Sequence, residues 1–215
     1  MIKAIFWDND GIIVDTERLY FAATKKILAA ADIELTREMY INYFLVQGNG
    51  TWHLAKEKGF SADEINKLRN ERNILYGQML EKDCTIINGA REVIENLYGK
   101  YLMAIVTSSR KDHFDLIHKN LGILKYFDFT LTAADYKKFK PDPEPYLLAV
   151  EKSGFDKNEC LAIEDSERGL ISAKAAGIHC FIIPTELTFN GDFSAADKIL
   201  KNISELPAEL SGLKI

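Results

Sequence analysis

Apolar residues in this chain fall into short unbroken runs and into longer interrupted stretches, and the two kinds alternate regularly only beyond residue 84. The first run, Ala4-Ile5-Phe6-Trp7, stops at Asp8-Asn9-Asp10-Gly11 and is followed by Ile12-Ile13-Val14-Asp15. A continuous apolar run closed by two carboxylates and a glycine predicts a buried strand with acids at its carboxyl end. Side chains alternate along a strand, but beyond its end the backbone can turn, and Gly11 permits that turn. Asp8 and Asp10 can then face one small site.

The period changes after Asp15. Residues 17–31 are rich in Ala, Leu and Lys with apolar positions on more than one side, the pattern of a packed helix for which Thr16 suits the N-cap. Helical patterns recur over 37–44, 52–58 and 62 to about 82, the last with Ser61 and Glu64 spaced for a capping box. No strand pattern interrupts 16–84, which predicts an all-helical subdomain inserted after the first strand. Strand and helix then alternate: helices over 92–98, 111–120, 145–153, 168–176 and 203–210, and strands over 102–106, 129–132, 160–163, 180–183 and 199–200. Gly122 and Gly177 sit where two of these helices should stop. The expected fold is α/β, a doubly wound, mostly parallel, Rossmann-like sheet built from 1–15 and 85–215, with a helical cap over 16–84.

Composition narrows the partners. At 215 residues and 47% apolar content, the chain can bury a substantial core as one domain with a modest insertion. The net charge of −5 is spread over mixed acids and bases with no basic block, which argues against nucleic acid. No apolar run has the length of a membrane span, and the amino terminus begins on a strand instead of a secretory leader, so a cytoplasmic protein is expected. No obligate protein partner is indicated. Cys84, Cys160 and Cys180 have neither disulfide nor zinc spacing, and Cys160 and Cys180 read as small buried hydrophobes. His113 and His118, five apart on one helix, read as helical surface.

Three further strand ends carry polar groups. Thr107-Ser108-Ser109 follows the strand at 102–106 and should bring hydroxyls and N–H groups to a helix N-terminus, either as a simple cap or as an anion site. Glu164-Asp165-Ser166-Glu167 follows the strand at 160–163, and its adjacent carboxylates either favour the next helix dipole or act as hard oxygen ligands for Mg²⁺. Lys138-Phe139-Lys140-Pro141-Asp142-Pro143-Glu144-Pro145 is stiffened by three prolines, and a Lys140 held among carboxylates would offset their repulsion and bind phosphate. In a doubly wound sheet these ends converge on one crevice. An attacking acid, a proton-carrying acid, phosphate-binding hydroxyls and lysine, and a metal-holding pair are the parts of phosphoryl transfer.

Asp8-Asn9-Asp10-Gly11, Thr107-Ser108-Ser109, Lys140-Pro141 and Glu164-Asp165-Ser166-Glu167-Arg168-Gly169 together resemble the four ordered motifs of the haloacid dehalogenase superfamily. Val14-Asp15-Thr16-Glu17 and Ala173-Lys174-Ala175-Ala176-Gly177 extend the resemblance, and the helical block lies where one subclass carries its cap. The resemblance implies Asp8 as nucleophile, Asp10 as general acid and base, Thr107, Ser108 and Lys140 on phosphoryl oxygens, and Mg²⁺ held by Asp8, the Asp10 carbonyl and Asp165 with Glu164 beside them. Two positions depart from the pattern: Asn9 replaces a usually apolar residue, and Ile12 a usual Thr or Val.

An acid at position 10 sets the chain apart from the superfamily's dehalogenases and phosphonate hydrolases. The resemblance to its β-phosphoglucomutase group is weakened by Tyr20, where that group has His, so the implied activity is a phosphatase acting on a small phosphorylated metabolite, with phosphomutase as the alternative. A non-catalytic binding or regulatory protein on the same fold is a third possibility. In 46–52, where Gly48 and Gly50 break the helical pattern, Gln47 and Asn49 are candidates to bind substrate hydroxyls, with Thr51 as cap of the next helix; a plain helix connection is the competing reading. Tyr40, Tyr43, Phe44 and Trp52 read as cap core.

Overall fold

A computed structural model describes residues 1–46, 48 and 50–212. The chain forms two compact units, one of Met1–Asp15 with the chain from Thr85 onward, the other of Thr16–Cys84.

The first unit is built on a six-stranded sheet of β1 (Ala4–Trp7), β2 (Leu102–Val106), β3 (Phe129–Leu131), β4 (Cys160–Glu164), β5 (His179–Ile182) and β6 (Lys198–Ile199). Every pairing is parallel, and the order is β3-β2-β1-β4-β5-β6. In register, Trp7 lies beside Ile105 on one side and Ile163 on the other. The order reverses at β1, so the crevice beyond the carboxyl ends of β1, β2 and β4 is the expected ligand position.

The two-residue period of the strands sorts their side chains. Ala4, Phe6, Ala104, Val106, Cys160, Ala162, Cys180 and Ile182 share one core with Tyr146 and Ala149 of α7 (Glu144–Ser153) and Leu170, Ala173 and Ala176 of α8 (Glu167–Ala176). Ile5, Trp7, Met103, Ile105, Leu161 and Ile163, on the opposite face, are buried as completely. Burial on both faces explains why these strands read as continuous apolar runs without alternation. The unit also contains α5 (Ala90–Leu97), α6 (Lys111–His118) and α9 (Leu206–Gly212). Gly177 closes α8 in the left-handed conformation that favours glycine, at φ 82°.

The second unit contains α1 (Glu17–Ala30), α2 (Arg37–Tyr40), a π-helical turn at Ile41–Val46, α3 (His53–Glu57) and α4 (Ala62–Asp83), with no strand among the described residues. Ser61 and Glu64 complete the capping box of α4: the Ser61 hydroxyl accepts from the Glu64 N–H, and the Glu64 carboxylate accepts from the Ser61 N–H at 2.8 Å. Leu28, Leu35, Tyr40, Trp52 and Ala55 form the core, with Phe44 packed against it. Tyr43 sets its ring edge-on to His53. Arg72 is buried with its guanidinium 4.1 Å from the Tyr20 ring centre and donates to Thr24 Oγ1.

Three local expectations need correction. Thr16 stands at the N-cap of α1 without making the side-chain cap hydrogen bond. The N-cap of α3 is Trp52, one residue beyond Thr51. His113 and His118 are buried, not surface, because α6 is covered on more than its apolar side.

Candidate active site

Each acidic or phosphate-binding candidate of the sheet unit comes from the carboxyl end of a strand or from the loop that follows one. Asp8 is the first residue past β1, and its N–H donates to the Ile163 carbonyl at 2.9 Å, so pairing with β4 continues one step beyond the strand. The chain then turns: Gly11 takes φ 84°, and the Asn9 carbonyl accepts from the N–H groups of Ile13 and Val14. A Cβ at position 11 would lie 2.5 Å from Asp165 Oδ2, so glycine is required both by the backbone conformation and by the closeness of a carboxylate.

Lys140 joins the acids. Its Nζ donates to Asp8 Oδ1 at 2.9 Å, to Glu164 Oε1 at 2.6 Å and to the Val106 carbonyl at 2.8 Å. All three ammonium hydrogens are thereby used. The loop holding Lys140 is itself tied down: Arg168 donates to the Lys140 carbonyl at 2.7 Å, and Ser172 to the Asp142 carbonyl at 2.6 Å. Glu164, fully buried as the last residue of β4, also accepts from the Tyr146 hydroxyl at 2.7 Å. Gly169 leaves room for it, since a Cβ there would fall 1.9 Å from the Glu164 carboxyl carbon.

Asp10 faces a second group of partners. Its Oδ2 accepts from Ser109 Oγ at 2.7 Å, Thr107 Oγ1 at 3.1 Å and Asn9 Nδ2 at 3.3 Å. Thr107 is buried, its hydroxyl also accepting from the Ser109 N–H and its carbonyl from the Tyr136 hydroxyl. These hydroxyls do not cap α6, whose N-cap is Arg110, so Thr107 and Ser109 are turned to Asp10 instead. Ser108 is exposed. Nothing in the sequence marks Ser109 as a partner of Asp10 or Tyr146 as a partner of Glu164, because neither residue type stands out in a strand-end loop or a helix interior.

The electrostatics are those of crowded acids. Burial, and then the charge of Glu164, push the Asp8 carboxyl well above its usual range, while Lys140 pulls it back. Burial opposes the charge on Lys140, but Asp8 and Glu164 outweigh it and hold the ammonium protonated. Asp8, Glu164 and Asp165 offer carboxylate oxygens within 4.8 Å of one another. Three carboxylates set against the single charge of Lys140 leave an excess of negative charge that a divalent cation would offset, and hard oxygen donors suit Mg²⁺. The residues present therefore fit such a metal. Gln47 and Asn49 lie outside the described residues.

The chain resembles known proteins over most of its length. The family model described as haloacid dehalogenase-like hydrolase matches residues 5–183. The chain is 29% identical over 182 residues to the phosphorylated carbohydrates phosphatase of Thermotoga maritima, covering 82% of each chain. It is 26% identical over 180 residues to the fructose-1-phosphate phosphatase YqaB of Escherichia coli, covering 81% of this chain and 92% of that one. The crystal structure of CbbY from Rhodobacter sphaeroides in complex with phosphate superposes with a TM-score of 0.80 at 23% identity over 96% of each chain, a likeness of fold. A match over most of its length, together with this fold, makes the chain a member of the haloacid dehalogenase-like hydrolase family, and an enzyme of its phosphatase kind.

Proposed function

We propose that the protein is a cytoplasmic, Mg²⁺-dependent phosphatase that hydrolyses a small phosphate monoester, a sugar phosphate or similar metabolite, through an aspartyl-phosphate on Asp8. The observation that carries this is the division of the two acids. Asp8 shares Lys140 with Glu164, whereas Asp10, two residues on, sits among the hydroxyls of Thr107 and Ser109. Two carboxylates in such different surroundings suit two tasks.

An Asp8 carboxylate oxygen attacks phosphorus as the bond from phosphorus to the ester oxygen breaks, and Asp10 gives its proton to the departing oxygen. Asp10 then takes a proton from water, whose oxygen attacks the phosphorus of the acyl phosphate. Inorganic phosphate leaves and the Asp8 carboxylate returns. Thr107, the Ser108 N–H and Lys140, which turns one ammonium hydrogen from its present acceptors to the substrate, hold the phosphoryl oxygens. Mg²⁺ would be held by Asp8, the Asp10 carbonyl and Asp165, with Glu164 anchoring Lys140 close by. When bound, it supplies charge that lets an anionic carboxylate approach an anionic phosphate.

The helical unit serves in this reading as a cap that selects the leaving group and excludes water, with Gln47 and Asn49 as candidates to bind substrate hydroxyls. Support for a sugar phosphate comes from the two curated relatives, whose names give phosphorylated carbohydrates and fructose 1-phosphate as substrates. The phosphomutase alternative is disfavoured by Tyr20, which is stacked on Phe44 and packed beneath Arg72. A ring held in this way is a poor substitute for a proton-shuttling imidazole.

The test is phosphate release from a panel of sugar phosphates, polyol phosphates, phosphoglycolate, nucleotides and p-nitrophenyl phosphate, with and without Mg²⁺. Mg²⁺-dependent turnover that Asp8→Asn abolishes supports the reading. Failure to release phosphate from every substrate, or full activity in Asp8→Asn, overturns it. Loss of turnover in Asp10→Ala separates the enzyme from a binding protein.

A further inference from the structure

Asn9 is fully buried between the two acids, and its side chain is hydrogen-bonded at both ends. Nδ2 lies 3.3 Å from Asp10 Oδ2, and Oδ1 lies 2.8 Å from His118 Nε2, at the end of α6. Directions along this chain follow from the groups. A carboxylate accepts, so the amide NH₂ faces Asp10; the amide oxygen must then accept from His118, which places the imidazole proton on Nε2. His118 is buried against Phe114, with ring centres 4.3 Å apart, and its Nδ1 has no hydrogen-bond partner among the described residues. Such surroundings favour the neutral ring, and burial lowers its pKa to about 4.

Burying an amide and an imidazole beside the acids is costly unless their polar atoms are paired, and here the pairing converges on one carboxylate oxygen. The other donors to that oxygen, Thr107 and Ser109, belong to the loop proposed to grip phosphate. Once Thr107 turns to a phosphoryl oxygen, Asp10 loses that donor. The Asn9 amide remains, fixed by its place in the chain and by His118.

We propose that His118 and Asn9 are positioning residues for Asp10: His118 orients the Asn9 amide, and the amide holds the Asp10 carboxyl in the rotamer from which it exchanges protons with the leaving oxygen and with water. This rests on the phosphatase reading above. An apolar residue at position 9 could not do this, so the departure at Asn9 and the buried His118 are two parts of one device.

Two measurements test it. The first needs no activity: long-range ¹H–¹⁵N NMR of the folded protein should show His118 as the neutral Nε2–H tautomer, with its signal moved in Asn9→Leu. An Nδ1–H tautomer overturns the proposal. The second compares kcat/KM, which reports aspartyl-phosphate formation, for an alkyl phosphate that the wild type hydrolyses and for p-nitrophenyl phosphate, whose leaving group hardly needs a proton. Asn9→Leu and His118→Phe should each lower the alkyl value about 5- to 10-fold and the aryl value less than about 2-fold, the effect of one lost hydrogen bond on the acid. His118→Gln, which can still donate to Asn9, should recover most of the loss. Equal losses on both substrates, no loss, or no recovery with Gln overturns the proposal. Should His118→Phe fail to fold, Asn9→Leu and the tautomer decide. A wild type inactive on every ester would instead overturn the phosphatase reading and leave the tautomer result standing.

Discussion

Lys140 Nζ lies 2.6 Å from Glu164 Oε1, and both groups are withdrawn from water. Removing one partner of a buried pair leaves the other charge uncompensated, and here it would also strip Asp8 of its cation. Lys140→Met should destabilise the protein by about 3–5 kcal/mol and abolish phosphatase activity. Adding Glu164→Gln should restore part of the stability and none of the activity. Urea unfolding of both single variants and of the double variant gives the coupling energy, and additive losses would count against a functioning pair.

Gly11→Ala meets two obstacles, the positive φ and the Asp165 carboxylate 2.5 Å from the new methyl. The carboxylate is the softer of the two and should be displaced. Mg²⁺ affinity by calorimetry is expected to fall at least about 10-fold, in the range seen when the support of a metal ligand is disturbed. Gly169→Ala presses instead on Glu164, deep in the core, and should appear chiefly as lost thermal stability of about 1–3 kcal/mol.

His118 also makes stability depend on pH. Its folded pKa, about 4, lies below the ordinary value of 6.5, so the folded state favours the neutral ring. Its contribution is complete above pH 6.5 and is lost as pH falls towards 4, because the unfolded chain takes up a proton that the folded one refuses. The full loss is on the order of 3 kcal/mol. Chemical denaturation between pH 7 and pH 4 should show this slope, and His118→Gln should remove it.

Ser61→Ala removes the hydroxyl that accepts the Glu64 N–H at the start of α4. A cost of about 1 kcal/mol is expected. Ser61→Asp keeps an acceptor at the cap and should recover most of that loss in the same denaturation measurement.

Much of this molecule was legible in its sequence because its signals are local. Strands buried on both faces write themselves as apolar runs, and Asp8, Thr107 and Glu164 mark where β1, β2 and β4 end. Lys140 could be tied to the acids because parallel topology brings those ends together. Helical spacing puts His118 on the surface because it judges a residue against its own helix, whereas its partner, Asn9, lies 109 positions away. Ser109 is hidden for a related reason: a hydroxyl before a helix looks like a cap, and only the turn that starts α6 at Lys111 frees it for Asp10.

The place of β1 in the middle of the sheet bears on the order in which the protein can be assembled. Its neighbours are β2 and β4, both later in sequence, so during synthesis β1 has neither sheet neighbour until residue 102 has emerged and only one until residue 160. The helices of Thr16–Cys84 can form while it waits, from contacts close in sequence. Asp8 and Glu164 therefore meet only after residue 164 has been synthesised, and a nascent chain stalled before β4 would expose an unpaired apolar strand edge, with Lys140 made but the Glu164 that shares it with Asp8 still missing.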